Sequence, residues 1–312
     1  MNIQMGRKPK IVIVAGPTAV GKTTFAIELA EGLGGEIVGA DSMQIYRYMD
    51  IGTAKPTQQE RAQVPHYLID IRDPDESFDA SQYVREARHA VEEVIRRGKV
   101  PLVVGGTGLY IKALLGGLFE LESIDEGIRE RLQHILDAEG IEALYKRLQV
   151  CDPVTADRLQ PNDTYRILRA VEIYETTGVP IVEHQKAHRF QDAPFQSMKI
   201  GLFMDRDALY NRINRRVDAM VAEGFLDEVH RLLARGYGED LKSMQSIGYR
   251  HMVGVIRNRY SKEEAMTLMK RDTRRYAKRQ MTWFKADPHF QWITPSRVGA
   301  VTEMAERFLH SP

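Results

Sequence analysis

Eight residues near the N-terminus, Gly16-Pro17-Thr18-Ala19-Val20-Gly21-Lys22-Thr23, follow the spacing G-x-x-x-x-G-K-[ST], the pattern that wraps backbone N–H groups around a phosphate. Glycines let the chain turn its amides inward, Lys22 adds a full positive charge, and Thr23 offers a hydroxyl suited to a magnesium ion. The candidate anion-binding residues are therefore Gly16, Thr18, Ala19, Val20, Gly21, Lys22 and Thr23, with Thr23 the metal candidate and Mg2+ the expected ion. A second carboxylate at the end of a neighbouring apolar strand would complete a phosphoryl-transfer or diphosphate-handling site. Asp41 follows Ile37-Val38-Gly39-Ala40 and fits; Asp70, after Leu68-Ile69, competes for the same part. The spacing alone leaves open which phosphorylated molecule is held, and a small-molecule kinase fits it as well as any enzyme with a diphosphate substrate.

These residues need elements that present them together. Ile11 to Ala15 reads as a buried strand, and Phe25 to Ala30 carries helical spacing up to Gly34-Gly35, which sets the loop between a strand and a helix N-terminus. Glu36 to Asp41 reads as a second strand, Val100 to Val104 as a third leading into Gly105-Gly106-Thr107-Gly108, and Lys199 to Met204 as a fourth, followed by helices to the end. The polar residues fall where a parallel sheet exposes its carboxyl edge, where ligands bind in open α/β folds. Between Leu121 and Gln196 the strand signal gives way to helical segments separated by Asp152-Pro153, Pro161-Asn162-Asp163 and Gly178-Val179-Pro180. The expected fold is α/β, a P-loop NTPase-like parallel sheet flanked by helices, built from residues 1–120 and 197–312, with an all-helical insertion over 121–196.

Composition narrows the setting. With 312 residues, 44 Lys+Arg and 43 Asp+Glu, the chain can bury a large core and carries no uniform basic coat. One cysteine, Cys151, allows no internal disulfide, and no apolar run approaches the length of a spanning helix, so a cytoplasmic protein with no membrane contact is expected. The charge is uneven, however. Residues 241 to 285 hold twelve Lys/Arg against three acids. At about 100° per residue, a helix from Glu263 to Lys285 gathers Arg271, Arg274, Arg275, Lys278, Thr282 and Lys285 on one arc and Met266, Met269, Thr273, Ala277 and Phe284 on the other. Such a stripe suits RNA phosphates, with Trp283 or Tyr276 available to stack or to pack.

Several segments resemble the tRNA dimethylallyltransferase (tRNA isopentenyltransferase) family, bacterial type, in that family's order: Asp41-Ser42-Met43-Gln44-Ile45-Tyr46-Arg47, Asp50-Ile51-Gly52-Thr53-Ala54-Lys55-Pro56, Pro65 to Asp70, Gly105 to Tyr110, Ile247 to Arg250 and Lys278 to Phe284. The resemblance spans about Ile11 to Lys285. It implies transfer of a dimethylallyl group from dimethylallyl diphosphate to the exocyclic N6 of the adenosine directly 3′ of the anticodon, with diphosphate released. An adenylate isopentenyltransferase shares that chemistry without the basic helix or the long insertion.

The resemblance assigns Asp41 as the general base and Thr107 as a residue that places the reacting groups, both catalytic, with Arg216 of the Arg206, Arg212 and Arg216 set beside the diphosphate. A base is chemically sensible here, because the N6 lone pair is delocalised into the purine and proton removal assists attack. It further implies contacts of a tRNA anticodon stem-loop with Asp41, Ser42, Met43, Gln44 and Thr107, with Arg129, Tyr165, Arg166, Ile167, Leu168 and Arg169 in the insertion, with Ser246, Ile247, Gly248, Tyr249, Arg250 and His251, and with Lys278, Arg279, Gln280, Trp283 and Lys285, to which the stripe adds Arg274. A monomer is expected.

Overall fold

The computed structural model describes residues 8–117, 126–188 and 193–311. The chain forms two compact units, Met1–Leu115 with Pro194–Pro312, and Gly116–Ala193.

The first unit carries six strands, β1 (Lys10–Ala15), β2 (Gly35–Ala40), β3 (His66–Tyr67), β4 (Val100–Gly105), β5 (Gln196–Leu202) and β6 (Gln291–Ile293). They form one sheet in the order β3-β2-β4-β1-β5-β6, parallel throughout. Two of them, β3 and β6, are too short for a run of apolar residues to reveal, and β6 interrupts the helices expected to fill the C-terminal stretch. Asp41 lies one residue beyond β2, so it opens a loop and does not end a strand.

Helices α1 (Lys22–Leu33), α2 (Gln58–Gln63), α3 (Ala80–Arg96) and α4 (Gly108–Gly116) accompany the first four strands. In the second unit α5 (Glu126–Glu139), α6 (Ile141–Cys151), α7 (Pro153–Ala156), α8 (Thr164–Thr177) and α9 (Ile181–His188) pack on Leu132, Leu144, Leu148, Ile167 and Val171. The chain then returns to the first unit as α10 (Arg206–Ala222), α11 (Phe225–Ala234), α12 (Tyr249–Ile256), α13 (Lys262–Lys285) and α14 (Val298–His310). The main core lies around β1, where Val12 and Val14 meet Phe25 and Leu29 of α1, Ile213 of α10, and Val301 and Ala305 of α14. Lys10 donates to the carbonyls of Phe308 and Leu309 at the end of α14, a cation where the helix dipole is negative.

Register decides what meets at the sheet edge. Ala15 pairs with Gly105 and Gly201, and Ala40 pairs with Gly105, so β1, β2, β4 and β5 come out level. The phosphate loop, the Asp41 loop, the Thr107 loop and the N-terminal end of α10 all leave that one edge. Closeness of β2 to β4 depends on Gly105, where a β-carbon would stand 2.0 Å from the Ala40 carbonyl oxygen.

Candidate active site

A cavity of about 710 Å³ opens at this edge, lined by Thr18, Ala19, Gly21 to Thr24, Asp41, Gln44, Thr53, Arg212, Arg215, Arg216, Tyr276 and Gln280 among others. It lies wholly within the first unit.

The phosphate loop has the form its spacing requires. Ala19 (φ 64°) and Gly21 (φ 104°) are both left-handed, which turns successive amides toward one concavity, and α1 begins at Lys22 directly behind it. Not every amide of the loop is available to an anion, though. Thr18 N donates to Gln280 Oε1 at 2.9 Å and Val20 N to the Pro17 carbonyl at 3.4 Å. The Val20 side chain is core, and Gly16 lies against the Leu202 carbonyl outside the cavity lining. Ala19, Gly21, Lys22 and Thr23 remain the residues that face the cavity as a cradle.

The Lys22 ammonium donates to the carbonyls of Gly16 (3.0 Å) and Pro17 (2.9 Å). Burial pulls its pKa down to about 8, against the attraction of Asp41 and with help from Arg216. Helix α10 adds more positive charge. Residues 212, 215 and 216 fall on one helical face; the Arg212 guanidinium reaches within 3.5 Å of where a Gly21 β-carbon would be. Arg216 is lowered from its ordinary pKa by burial, with Asp41 opposing and Arg212 reinforcing the shift. Arg215 lines the cavity as well and was not singled out by sequence, because a surface arginine next to two others carries no distinguishing signal. Arg206 instead lies over the Tyr210 ring at 5.2 Å and takes no part in the cavity.

Asp41 sits across from these cations. Its Oδ1 accepts from Met43 N (2.8 Å) and Gln44 N (3.3 Å), which folds the Asp41–Gln44 segment into a tight turn and leaves Oδ2 for a proton. Thr107 Oγ1 accepts from Ser42 N at 3.1 Å, and Thr107 N donates to the Ala40 carbonyl at 3.1 Å. Thr107 thus ties the β4 loop to the β2 loop and fixes where Asp41 points. Asp70, the competing carboxylate, is absent from the cavity. It binds Lys55 (2.5 Å) and Arg61 (2.7 Å), which hold its pKa low although burial acts the other way.

Gln280, expected to touch RNA, is buried at the cavity wall, where Oε1 receives the Thr18 amide and Nε2 donates to the Gly106 carbonyl at 2.9 Å. It braces the phosphate loop against the Thr107 loop. The exposed side of α13 does carry Lys278, Arg279, Thr282, Trp283 and Lys285, and Trp283 covers Gly108 at the start of α4. Other side chains of this region are already held by partners within the fold. Asp272 receives Arg250 (2.7 Å), Arg271 (3.0 Å) and His251 (3.3 Å), with Arg275 at 3.8 Å; Lys270 pairs with Asp218, and Arg274 donates to Asn214 at 2.7 Å. The exposed charge without a partner among the described residues is accordingly narrower than the composition implies.

Several side chains expected at an RNA surface are inside. Tyr249 and Ile167 are 1% and 0% exposed, and His251 is buried with Nδ1 accepting from Gly248 N; a side chain without solvent access cannot contact a partner, and Leu168 packs on the core of the second unit. Ser246 holds an inaccessible hydroxyl with no hydrogen-bond partner, while Arg250 of the same segment is exposed. In the second unit Tyr165 is 76% exposed and Arg166 is open beside Asp163, whereas Arg129 and Arg169 both bind the buried Glu172 at 3.1 and 3.3 Å.

Comparison with known proteins fits this geometry. A family model described as IPP transferase matches residues 44–287. The chain belongs to the IPP transferase family. A tRNA dimethylallyltransferase of Desulfosudis oleivorans is 54% identical over 97% of this chain and 96% of its own, and one of Geobacter sulfurreducens 50% identical over 99% of both. Among solved structures, the full-length tRNA isopentenylpyrophosphate transferase of Bacillus halodurans superposes with a TM-score of 0.73 at 41% identity over 97% of each chain. A eukaryotic dimethylallyltransferase described as acting on tRNA superposes at 0.80 with 28% identity, covering 96% of this chain and 79% of the other. The IPP transferase fold here is the expected P-loop NTPase-like α/β sheet, and among the described residues no helix is long and apolar enough to cross a membrane.

Proposed function

We propose that this enzyme transfers the dimethylallyl group of dimethylallyl diphosphate to N6 of the adenosine 3′ of the anticodon in tRNA, releasing diphosphate. The observation that carries the reading is one cavity with a carboxylate on one side and, on the other, a cluster of cations that have no ion-paired carboxylate among the described residues. Cleavage of the allylic C–O bond builds negative charge on the departing diphosphate. Lys22, Arg212, Arg216 and the Ala19–Thr23 cradle are placed to meet that charge as it develops. N6 attacks the allylic carbon, and Asp41 Oδ2 takes the proton that N6 loses. Thr107 keeps that carboxylate aimed by holding Ser42.

Magnesium fits the residues in one specific manner. Among the described residues no group of three His, Cys, Asp or Glu side chains could hold a metal by itself, so an ion would rest on Thr23 Oγ1 and on oxygens of the diphosphate, the mixed ligation that magnesium favours. Bound there it would neutralise charge on the leaving group. The anticodon stem-loop would meet the exposed basic strip Lys278, Arg279 and Lys285 with Trp283, and Arg166 and Tyr165 would add contacts from the second unit.

Incubation with dimethylallyl diphosphate and unmodified tRNA, followed by mass analysis of the digested nucleosides, tests the reading. The expected product is N6-dimethylallyladenosine with one diphosphate released per transfer. Label appearing on AMP and not on tRNA would replace it with a cytokinin-forming activity, and ATP turnover without any prenyl donor would replace it with a kinase.

A further inference from the structure

Glu228 of α11 lies outside the cavity and takes no part in the chemistry above, yet it is 4% exposed and meets four donors. Its Oε2 accepts from Asp50 N (3.0 Å) and Ile51 N (2.7 Å); its Oε1 accepts from Gly52 N (3.2 Å) and from the Tyr249 hydroxyl (2.6 Å). Tyr249 is itself buried, edge-on to Phe225. One carboxylate thus holds three consecutive amides of the turn that ends at Thr53 and Ala54. The carbonyls of that turn have a single use in the site. Gln44 Nε2 donates to the Thr53 carbonyl at 3.3 Å and to the Ala54 carbonyl at 3.2 Å.

Two carbonyls facing one carboxamide fix its orientation, since only the NH₂ end can satisfy both. Gln44 lines the cavity next to Asp41, and with both of its hydrogens committed it has only Oε1 to offer. We propose that Glu228 is a positioning residue for base selection: by holding the 50–54 turn it locks Gln44 as a pure hydrogen-bond acceptor that recognises the amino group of the target purine. The inference rests on the proposed function. One N6 hydrogen goes to Asp41 and the second is held by Gln44 Oε1; a purine with a carbonyl or with hydrogen at that carbon has nothing to donate. If Glu228 cannot accept, three amides lose their partner, the turn relaxes, and Gln44 can rotate to present NH₂, removing its share of the preference and leaving that of Asp41.

The test measures binding of anticodon stem-loop RNAs that carry adenosine or purine riboside at the target position, which differ only by the amino group. The unmodified enzyme should prefer the adenosine RNA by about tenfold, the worth of one or two good hydrogen bonds. Glu228→Gln and Gln44→Leu should each lower the ratio to the share that Asp41 alone supplies, about threefold, while affinity for the purine RNA stays within about threefold. The double variant should lose no more preference than Gln44→Leu alone, because both act through one contact. Tyr249→Phe, which keeps the packing and removes one donor to Glu228, should reduce the ratio partially and covers the case in which Glu228→Gln fails to fold. A preference undiminished in both Glu228→Gln and Tyr249→Phe, or additive losses in the double variant, would overturn the proposal. Should the unmodified enzyme form no dimethylallyladenosine on the adenosine RNA, the functional reading itself fails, and that result appears before any substitution is made.

Discussion

The cavity wall and helix α13 both concentrate positive charge, but they treat it in opposite ways. Around the phosphate loop, Lys22, Arg212 and Arg216 crowd together with no ion-paired carboxylate among the described residues, even though burial lowers the pKa of Lys22 and Arg216. Along α13 and its neighbours, Arg250, Arg271 and Arg275 share Asp272, Lys270 has Asp218, and Arg274 has Asn214. Like charges kept close and unneutralised cost stability, so their persistence marks where an anion arrives; charges with built-in partners serve the fold. Counting Lys and Arg cannot separate the two situations, since pairing depends on residues far away in sequence.

Four experiments press on this contrast. The largest effect is expected for Asp41→Asn. Asparagine keeps an Oδ1 that can still accept from Met43 N and Gln44 N, so the turn survives and only proton acceptance is lost. Single-turnover transfer should fall by about 10²–10⁴-fold, with tRNA affinity changed by less than about threefold; equal losses in both would assign Asp41 a structural part.

Next comes the pH dependence of donor use. Lys22 titrates at about 8 in the free enzyme, so its charge is present below that pH and vanishes as pH rises through it. kcat/KM for the prenyl donor should therefore decline above about pH 8, and Lys22→Arg, charged throughout, should remove that decline even if its overall rate is lower.

A smaller effect separates fold from binding on α13. Arg271 and Arg250 hold the Asp272 carboxyl at about 2 against an ordinary 3.8, although burial pushes it upward. That stabilisation is complete above the ordinary value and disappears as pH falls from about 4 to about 2. Thermal unfolding followed across this range should show a smaller loss in Asp272→Asn than in the unmodified protein, since Asp70 and Asp287 still titrate in both, and the unfolding midpoint of the variant should be lower at neutral pH, with a cost of about 1–3 kcal/mol.

The mildest outcome belongs to Lys278→Ala and Arg279→Ala. Each should weaken tRNA binding a few-fold and reduce the slope of log K against log salt by roughly 0.7–0.9. Arg271→Ala should change that slope less, because its guanidinium is held on Asp272.

What the sequence made legible follows from how local each feature is. The phosphate loop needs only eight consecutive residues and a strand–helix context, and Asp41 and Thr107 follow apolar strands that can be recognised from a few residues. The two short strands, β3 and β6, offer too little pattern. Gln280 and Glu228 escaped assignment to their actual contacts because their partners lie 262 and 178 residues away. Tyr249, His251 and Ile167 belong to segments with a family pattern, yet a pattern does not tell which of its side chains point inward. For Glu228 the available signal was faint: a glutamate in the helix-spaced run Phe225 to Leu232, on the same face as the buried Phe225, Val229 and Leu232.

Calorimetric titration of inorganic diphosphate addresses the central contrast most directly. The unmodified enzyme should bind it, Arg216→Met should bind at least about tenfold more weakly, and the Lys278→Ala, Arg279→Ala double variant should match the unmodified enzyme. Equal affinity in all three, or a loss confined to the double variant, would contradict the claim that the unpaired cations beside Asp41 are the seat of the leaving group.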